Sequence, residues 1–261
     1  VEVIIIVFMV LAGTNFNLYF SMSRATRFPR GREPKTRLAR YFGLQHGQFT
    51  APFRDAEWLL YIGLMVGATC IIAVNLMGVQ PQAYSEVLTQ AELHAPPNHG
   101  APEAFRKAAF QSVSIMTTTG YATEDFNEWP HLSRMLLVWL MFVGGCAGST
   151  GGGMKVIRIL VLGRMAVRHI EHTFRPKQVR ALRINDTVVT REMQTAIYAF
   201  FALYIIIFSL GCLFMAGLGV PFVTAVTSVI ATLNNIGPGL ELVGAVQDYS
   251  AIPGIGKLFL T

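Results

Sequence analysis

Long apolar stretches separated by polar and basic segments dominate the pattern along the chain. Val1–Phe20 is almost uninterruptedly apolar, Glu57–Val79 and Met193–Ala216 are further long runs, and Pro253–Thr261 begins another. About 20 predominantly apolar residues have the length that a helix needs to cross a bilayer. The pattern therefore predicts an all-α polytopic membrane protein.

Two shorter apolar segments each end at a polar break that contains glycine. Ala104–Met116 leads into Thr117–Tyr121, and Val220–Leu233 leads into Asn234–Gly239. A segment of about 13 residues is too short to cross the bilayer. We therefore expect each of them to enter the membrane as a short helix and to turn back at its break.

The order of long span, short segment, break and span occurs twice, which indicates an internal repeat. An offset of 117 residues places Thr118-Thr119-Gly120-Tyr121 over Asn235-Ile236-Gly237-Pro238 and superposes the glycines. Internal repeats are common in transporters, where the functional site lies at the repeat interface. We expect the last span of a preceding repeat, a basic loop, a first pore-loop repeat, a second basic loop and a truncated second repeat, at residues 1–22, 23–56, 57–163, 164–191 and 192–261.

The charges support a membrane protein and give it an orientation. Hydrophobic residues make up 52% of the chain and charged residues 14%, which argues against a disordered chain and against a nucleic-acid partner. The net charge is +6, with eight basic residues between Arg24 and Arg54 and nine between Lys155 and Arg191. Basic residues concentrated in short loops are typical of the cytoplasmic side of a membrane. We expect both loops there.

Thr117–Tyr121 has the composition of a carbonyl-lined ion filter. Non-helical backbone at membrane depth is tolerated only where it is buried in protein or lines a water-filled path. A ring of backbone carbonyls can replace the hydration shell of a potassium ion, and Gly120 permits the dihedral angles that this requires. An ordinary turn is the alternative for both breaks, and the residues of Asn234–Gly239 are common in turns.

Glycine also dominates the segment after the next apolar run, with six glycines in the ten residues from 144 to 153. Each glycine costs a helix about 1 kcal/mol, so a regular helix is not expected. A helix-packing patch and a phosphate loop are alternatives, although Met154 stands where a phosphate loop needs lysine. We expect a broken helix that forms a gate, with Ser149 and Thr150 offering hydroxyls to a passing ion. The gate residues are Gly144, Gly145, Gly148, Ser149, Thr150, Gly151, Gly152 and Gly153.

Three segments resemble the bacterial Trk/Ktr potassium-uptake family. Residues 110–123 (FQSVSIMTTTGYAT) resemble its third pore loop, residues 231–239 (ATLNNIGPG) its fourth, and Gly144–Lys155 the glycine-rich interruption of its third repeat. The resemblance covers essentially the whole chain, but only the C-terminal half of a TrkH-type pore subunit. Because the chain also begins without Met, we expect a fragment.

The resemblance implies a potassium-channel-like pore with fourfold pseudosymmetry in a bacterial inner membrane. One quarter of its potassium filter falls on Thr118, Thr119, Gly120 and Tyr121, and another on Asn235, Ile236, Gly237 and Pro238. Potassium is then the transported substrate, bound by backbone carbonyls, and no covalent cofactor is expected. The resemblance also implies symport-type uptake, a homodimer in the lipid bilayer and a cytosolic nucleotide-binding regulatory subunit.

Three other functions stay open at this point. One is a less selective sodium- or proton-coupled cation transporter. The second is a membrane enzyme that holds a phosphorylated substrate at Gly148–Gly153, although the acidic residues share no apolar pocket and we expect no enzyme. The third is a non-conducting structural subunit.

Two minor sets of side chains complete the picture. Cys70, Cys146 and Cys212 lie in apolar stretches and are expected to be buried and unpaired. Glu124 and Asp125 follow the first break, where they either raise the local cation concentration or only solvate the outer loop.

Overall fold

The computed structural model describes residues 1–20, 51–78, 100–174, 182–185 and 187–261. Residues 21–50, which contain most of the first predicted basic loop, lie outside the described residues. The same holds for the end of the second predicted span at Val79 and for residues 175–181 and 186 of the second basic loop.

The described part of the chain is mainly helical. Its helices are α1 (Glu2–Ala12), α2 (Ala51–Arg54), α3 (Ala56–Leu76), α4 (Ala101–Met116), α5 (His131–Phe142), α6 (Val156–Phe174), α7 (Arg191–Gly217), α8 (Phe222–Leu233) and α9 (Gly254–Leu260). Strands β1 (Arg183–Ile184) and β2 (Thr187–Val188) pair antiparallel, with Arg183 opposite Val188 and Ile184 opposite Thr187. Single 3-10 turns occur at Phe126–Glu128, Glu241–Val243 and Tyr249–Ala251.

Of the described helices, α3 and α7 are long and apolar enough to cross a membrane. Both begin at a side-chain cap: the Asp55 carboxylate accepts from the Trp58 amide at 2.9 Å, and the Thr190 hydroxyl accepts from the Met193 amide at 3.3 Å. Protein buries 44% of the most apolar window of α3 but only 17% of that of α7. Helix α7 therefore presents most of its apolar surface outward, as a helix in lipid does.

One apolar core joins the two predicted repeats. Helix α3 packs along α4, and α5 packs against both. The fully buried centre combines side chains of these helices with residues of the second repeat, namely Tyr61, Ile72, Phe110, Ile115, Leu137, Met141 and Ile230. Because the same core includes Ile236, the second break is anchored against the first repeat.

The first apolar segment is interrupted, although the sequence pattern predicts one span over Val1–Phe20. Helix α1 ends at Ala12, and helix resumes only at residue 16. At Gly13 a Cβ atom would overlap the hydroxyl of Tyr61, and this hydroxyl donates to the carbonyl of Val10 at 3.2 Å. The close approach of Tyr61 to the end of α1 accompanies the interruption, which falls on Gly13, Thr14 and Asn15, a polar, glycine-containing stretch that the prediction of a single span passes over.

The second basic segment is likewise not a loop throughout, because α6 continues to Phe174. Val161 and Met165 lie on the inner face of this helix and are buried with Ile184 and Val189 next to the hairpin. This small satellite core stabilises the helix beyond Leu162, where the apolar run ends.

Candidate functional site

Both breaks have the same unusual backbone conformation. Thr118 and Asn235 have φ angles of 57° and 55°, and Gly120 and Gly237 have φ angles of 77° and 106°. These left-handed conformations are rare for non-glycine residues and especially so for a β-branched one such as Thr118. The members of each pair lie 117 residues apart, as the repeat predicts.

The hydrogen bonds of the two breaks correspond in the same way. The amide of Thr119 donates to the Ser114 carbonyl at 2.9 Å, and the amide of Ile236 donates to the Ala231 carbonyl at 2.7 Å. Each bond satisfies a carbonyl at the C-terminal end of a short helix, α4 or α8. The partial negative charge of both helix ends therefore faces the breaks, which favours a cation there.

The two breaks lie side by side. A Cβ atom at Gly120 would overlap the carbonyl oxygen of Ile236 and would lie 3.3 Å from Cδ of Pro238. Only glycine fits at this contact, because the backbone of the second break occupies the place of a side chain. The structure thus brings the two predicted filter segments together.

Most carbonyl oxygens of the two breaks have no partner in the part of the chain that the structure describes. Among the eight predicted filter residues, the carbonyls that accept no hydrogen bond there belong to Thr118, Thr119, Gly120, Asn235, Ile236 and Pro238. Backbone carbonyls within protein normally have a partner. A row of unpaired carbonyls is therefore suited to binding a dehydrated cation.

Two carbonyls of the predicted filter do have donors. The Ser114 hydroxyl donates to the Tyr121 carbonyl at 2.6 Å, and the Tyr249 hydroxyl donates to the Gly237 carbonyl at 2.7 Å. Burial raises the pKa of Tyr249 to about 12, so this hydroxyl keeps its proton at neutral pH. These hydroxyls fix the backbone of the breaks and leave each of the two carbonyls one lone pair.

The glycine-rich segment lies directly against both breaks. The amide of Gly152 donates to the Thr118 hydroxyl oxygen at 2.6 Å. A Cβ atom at Gly152 would overlap the carbonyl oxygen of Asn234, and one at Gly151 would lie 3.1 Å from that of Thr117. Residues 151 and 152 therefore contact the C-terminal end of both short helices.

The backbone folds back on itself within this segment instead of continuing as a helix. The amide of Gly144 donates to the Met154 carbonyl at 2.9 Å, and the amide of Val156 donates to the Gly145 carbonyl at 3.2 Å. Gly148 and Gly153 have φ angles of 70° and 67°. The helix that α5 begins is therefore broken, and α6 resumes it after the segment.

The hydroxyls of Ser149 and Thr150, which we predict to meet a passing ion, both donate to backbone carbonyls. The Ser149 hydroxyl donates to the Cys146 carbonyl at 2.7 Å, and the Thr150 hydroxyl donates to the Ala12 carbonyl at 3.2 Å. Both side chains therefore fix the loop to nearby backbone.

Asn234 is a structural residue that the sequence analysis treats only as the first residue of the second break. Its side chain is fully buried, and its Nδ2 donates to the carbonyls of Met141 at 2.9 Å and Ile230 at 3.0 Å. The Tyr204 hydroxyl lies 3.1 Å from its Oδ1. Asn234 thus joins α5, α7 and α8 directly below the second break. An amide at the end of an apolar segment is the only signal for it in the sequence.

At the outer end of the first break, both acidic side chains have structural partners. Glu124 forms an ion pair with Lys107 at 2.5 Å, and the Asp125 carboxylate accepts from the Asn127 amide at 3.0 Å. These contacts favour the structural interpretation of the two residues over attraction of cations.

The cysteines are unpaired, as expected, but not all are buried. Cys146 is buried, Cys212 is half-buried and Cys70 is exposed on the outer face of α3. Within the described ranges no group of three potential metal ligands occurs.

Comparison with known proteins places the chain in one family. The TrkH family model, described as a cation transport protein, matches residues 1–257. The Trk system potassium uptake protein TrkH of Salmonella typhimurium is 31% identical over 260 residues, which is 100% of this chain and 46% of that protein. TrkH of Vibrio parahaemolyticus is 41% identical over 138 residues, covering 53% of this chain and 28% of that protein.

A solved structure shows the same fold. The crystal structure of the potassium transporter TrkH from Vibrio parahaemolyticus matches with a TM-score of 0.76 and 28% identity. It covers 99% of this chain and 47% of that one. The chain therefore spans about half the length of the relatives it matches. These matches confirm the predicted polytopic helical membrane fold and the resemblance: the chain belongs to the TrkH family of cation transport proteins.

Proposed function

We propose that this chain supplies part of the pore of a potassium-uptake protein in a bacterial inner membrane. The observation that carries the proposal is the set of unpaired carbonyls in two adjacent, equivalent breaks, at residues 118–120, 235, 236 and 238. Carbonyls in this arrangement replace the hydration shell of the transported potassium ion. The names of the relatives, Trk system potassium uptake proteins, agree with this substrate and with a transporter that is not an enzyme.

In this proposal the membrane potential drives uptake without chemistry on the protein. Moving one elementary charge inward gains about 2.3 kcal/mol per 100 mV. The two short helices add a favourable partial charge at the inner end of the filter. The chain then has to provide only selection and control.

Control is assigned to the glycine-rich segment, residues 144–153. Its tip, Gly151–Gly153, contacts the inner end of both breaks through Thr118 and Asn234. In this position it obstructs the path from the filter to the cytoplasm, and displacement of the tip opens the path. Glycine suits such a tip because it changes its dihedral angles at low cost.

The proposed orientation puts both basic segments in the cytoplasm. The Asn185 side chain in the hairpin turn accepts from the Ala56 amide and donates to Asp55, each at 3.1 Å, so the start of α3 and the hairpin share one side. The excess of Lys and Arg in these segments supports the cytoplasmic side. A homodimer and a cytosolic nucleotide-binding regulatory subunit, docked on these segments, complete the proposal.

Rubidium uptake into potassium-starved cells that carry the complete gene tests the filter. Gly120→Ser should lower the affinity for rubidium or the preference over sodium, because its Cβ overlaps the Ile236 carbonyl. Gly63→Ala is the matched control, since Gly63 has no atom within 4 Å of its Cβ position. If uptake and selectivity of Gly120→Ser equal those of the control, the first break is an ordinary turn and the proposal fails.

A less selective sodium- or proton-coupled cation transporter is the second candidate. The two breaks differ in backbone conformation, since Gly237 has a φ angle of 106° and Gly120 one of 77°. A filter with unequal parts favours this less selective candidate. Competition by sodium, and uptake measured with and without a proton gradient, distinguish the candidates: strong inhibition of rubidium uptake by sodium supports the second.

A further inference from the structure

A buried carboxylate outside the filter holds the glycine-rich segment. Glu57, near the start of α3, is 5% exposed, and its Oε1 accepts from the Ala147 amide at 2.6 Å and from the Ile157 amide at 3.2 Å. Ala147 precedes the tip of the segment, and Ile157 lies in the first turn of α6 after it. A single carboxylate oxygen therefore joins the two sides of the segment.

The end of α1 braces the same part of the segment. The Cys146 amide donates to the Gly13 carbonyl at 2.9 Å, and the Thr150 amide donates to the Ala12 carbonyl at 3.3 Å. Three residues further on, the amide of Phe16 donates to the carbonyl of Gly148 at 3.2 Å. The interruption of the first apolar segment thus presents its backbone to residues 146–150.

The tip of the segment, Gly151–Gly153, is held by other kinds of bonds than residues 146–150. The Gly152 amide donates to the Thr118 hydroxyl oxygen, and the Gly151 carbonyl accepts from the ammonium group of Lys155. Both of these bonds involve side chains that can turn away, whereas residues 146–150 are bonded to the backbone of α1 and to a buried carboxylate.

We infer that Glu57 is a positioning residue for the gate. It clamps Ala147 to the first turn of α6, so that residues 146–150 form a stationary frame and only Gly151–Gly153 moves when the path opens. This inference rests on the proposed function and adds to it the division of the segment into a frame and a moving tip.

Physical chemistry favours a carboxylate at this position. A buried ionised group is tolerated when hydrogen bonds satisfy it, and Glu57 has two amide donors. The amide of Ile157 belongs to a helix N-terminus, where a negative charge is stabilised. Loss of the carboxylate leaves both donors without their acceptor, and the tip loses the frame that holds it below the filter.

The test measures rubidium uptake and thermal unfolding of the complete protein with Glu57→Ala, Glu57→Asp and Glu57→Gln. Ser133→Ala is the matched control, because the Ser133 hydroxyl donates to Asn75 of the same helix at 2.7 Å, in the core and away from the segment. Glu57→Ala should raise uptake without the regulatory subunit about tenfold, because the frame then no longer holds the tip against Thr118 and Asn234, and these tip contacts exist only in the closed state. Its KM for rubidium should stay unchanged, because the filter is intact.

Glu57→Gln keeps an oxygen that accepts from both amides but loses the negative charge, so its basal uptake should rise less than that of Glu57→Ala. Glu57→Asp keeps the charge on a shorter side chain and should also lie between the wild type and Glu57→Ala. The inference is overturned if Glu57→Ala unfolds at a lower temperature, like Ser133→Ala, but leaves basal uptake unchanged. If Glu57→Ala does not accumulate in the membrane, Glu57→Asp is measured instead, and unchanged basal uptake of that variant overturns the inference. Absence of rubidium uptake by the wild type overturns the proposed function itself, whereas normal wild-type uptake with unaltered Glu57 variants overturns only this inference.

Discussion

Single glycines decide how closely the backbone segments of this site approach one another. At Gly120 and Gly152 a Cβ atom would overlap a carbonyl oxygen, of Ile236 and Asn234 respectively. At Gly237, in contrast, no atom lies within 4 Å of the Cβ position, so its φ angle of 106° alone calls for glycine. Glycines that look equivalent in the sequence therefore have different physical roles.

A first prediction follows for Gly152→Ala. The added methyl group pushes the tip away from Asn234, so we expect higher basal rubidium uptake and a loss of about 1–3 kcal/mol in the free energy of unfolding. Gly63→Ala, in open space on α3, should leave uptake unchanged and stabilise the helix by about 1 kcal/mol. Uptake and denaturation measured on both variants check this, and equal behaviour of the two would contradict the close contact.

At the scale of elements, polar side chains set the positions of helices that apolar packing leaves undetermined. Asn234 connects α8 to α5 through the Met141 carbonyl and to α7 through Tyr204. Apolar side chains attract each other without direction, whereas a hydrogen bond fixes a distance and an angle. The second break is therefore held in register with α5 and α7 by one amide.

Replacement of this amide should destabilise the protein more than loss of its phenolic partner. Asn234→Ala leaves the buried Tyr204 hydroxyl and the Met141 carbonyl without their partner, and we expect a loss of about 2–3 kcal/mol. Tyr204→Phe removes one bond and should cost about 1 kcal/mol. Thermal unfolding in detergent measures both, and a Tyr204→Phe variant at least as unstable as Asn234→Ala would refute the assigned role.

At the scale of the whole molecule, the described contacts separate into two ends of the bundle. At one end, Asn185 of the hairpin bonds to Asp55 and Ala56. At the other end, Asn127 after the first break accepts from the Glu241 amide at 2.8 Å and so links the two repeats. The breaks and the glycine-rich segment lie between these ends, where an ion path between two compartments requires them.

Labelling of single cysteines should reveal which end is cytoplasmic. In a protein with Cys70, Cys146 and Cys212 replaced by alanine, an impermeant maleimide should label Glu128→Cys in intact cells. It should label Glu171→Cys only after lysis, because the basic residues keep that end inside. Both parent residues are exposed. Labelling of Glu171→Cys in intact cells would reverse the proposed orientation.

Much of the site could be predicted because it depends on local chemistry. Residue types and their order predict the offset of 117 residues, the glycines at 120 and 237, and the break of the helix between α5 and α6. Glycine adopts positive φ angles at low cost, which suits it to the breaks, and six glycines in ten residues disfavour a helix in any context. The extension of α6 could not be predicted from the pattern, because contacts with the distant hairpin stabilise it. The interruption after Ala12, in contrast, coincides with Gly13, Thr14 and Asn15, a local signal that the prediction of one span passes over.

By itself, the sequence determined the membrane class, the repeat and the segments to which we assign the proposed filter and gate, since hydropathy and glycine content are properties of each segment alone. Only the tertiary structure decided which carbonyls lack partners, that Gly152 lies against both breaks and that Glu57 accepts from Ala147 and Ile157 on the two sides of the glycine-rich segment. Glu57 and Ala147 are 90 residues apart in the chain. Their hydrogen bond exists because α3 packs beside the broken helix, and no local sequence pattern predicts the partner of a buried carboxylate.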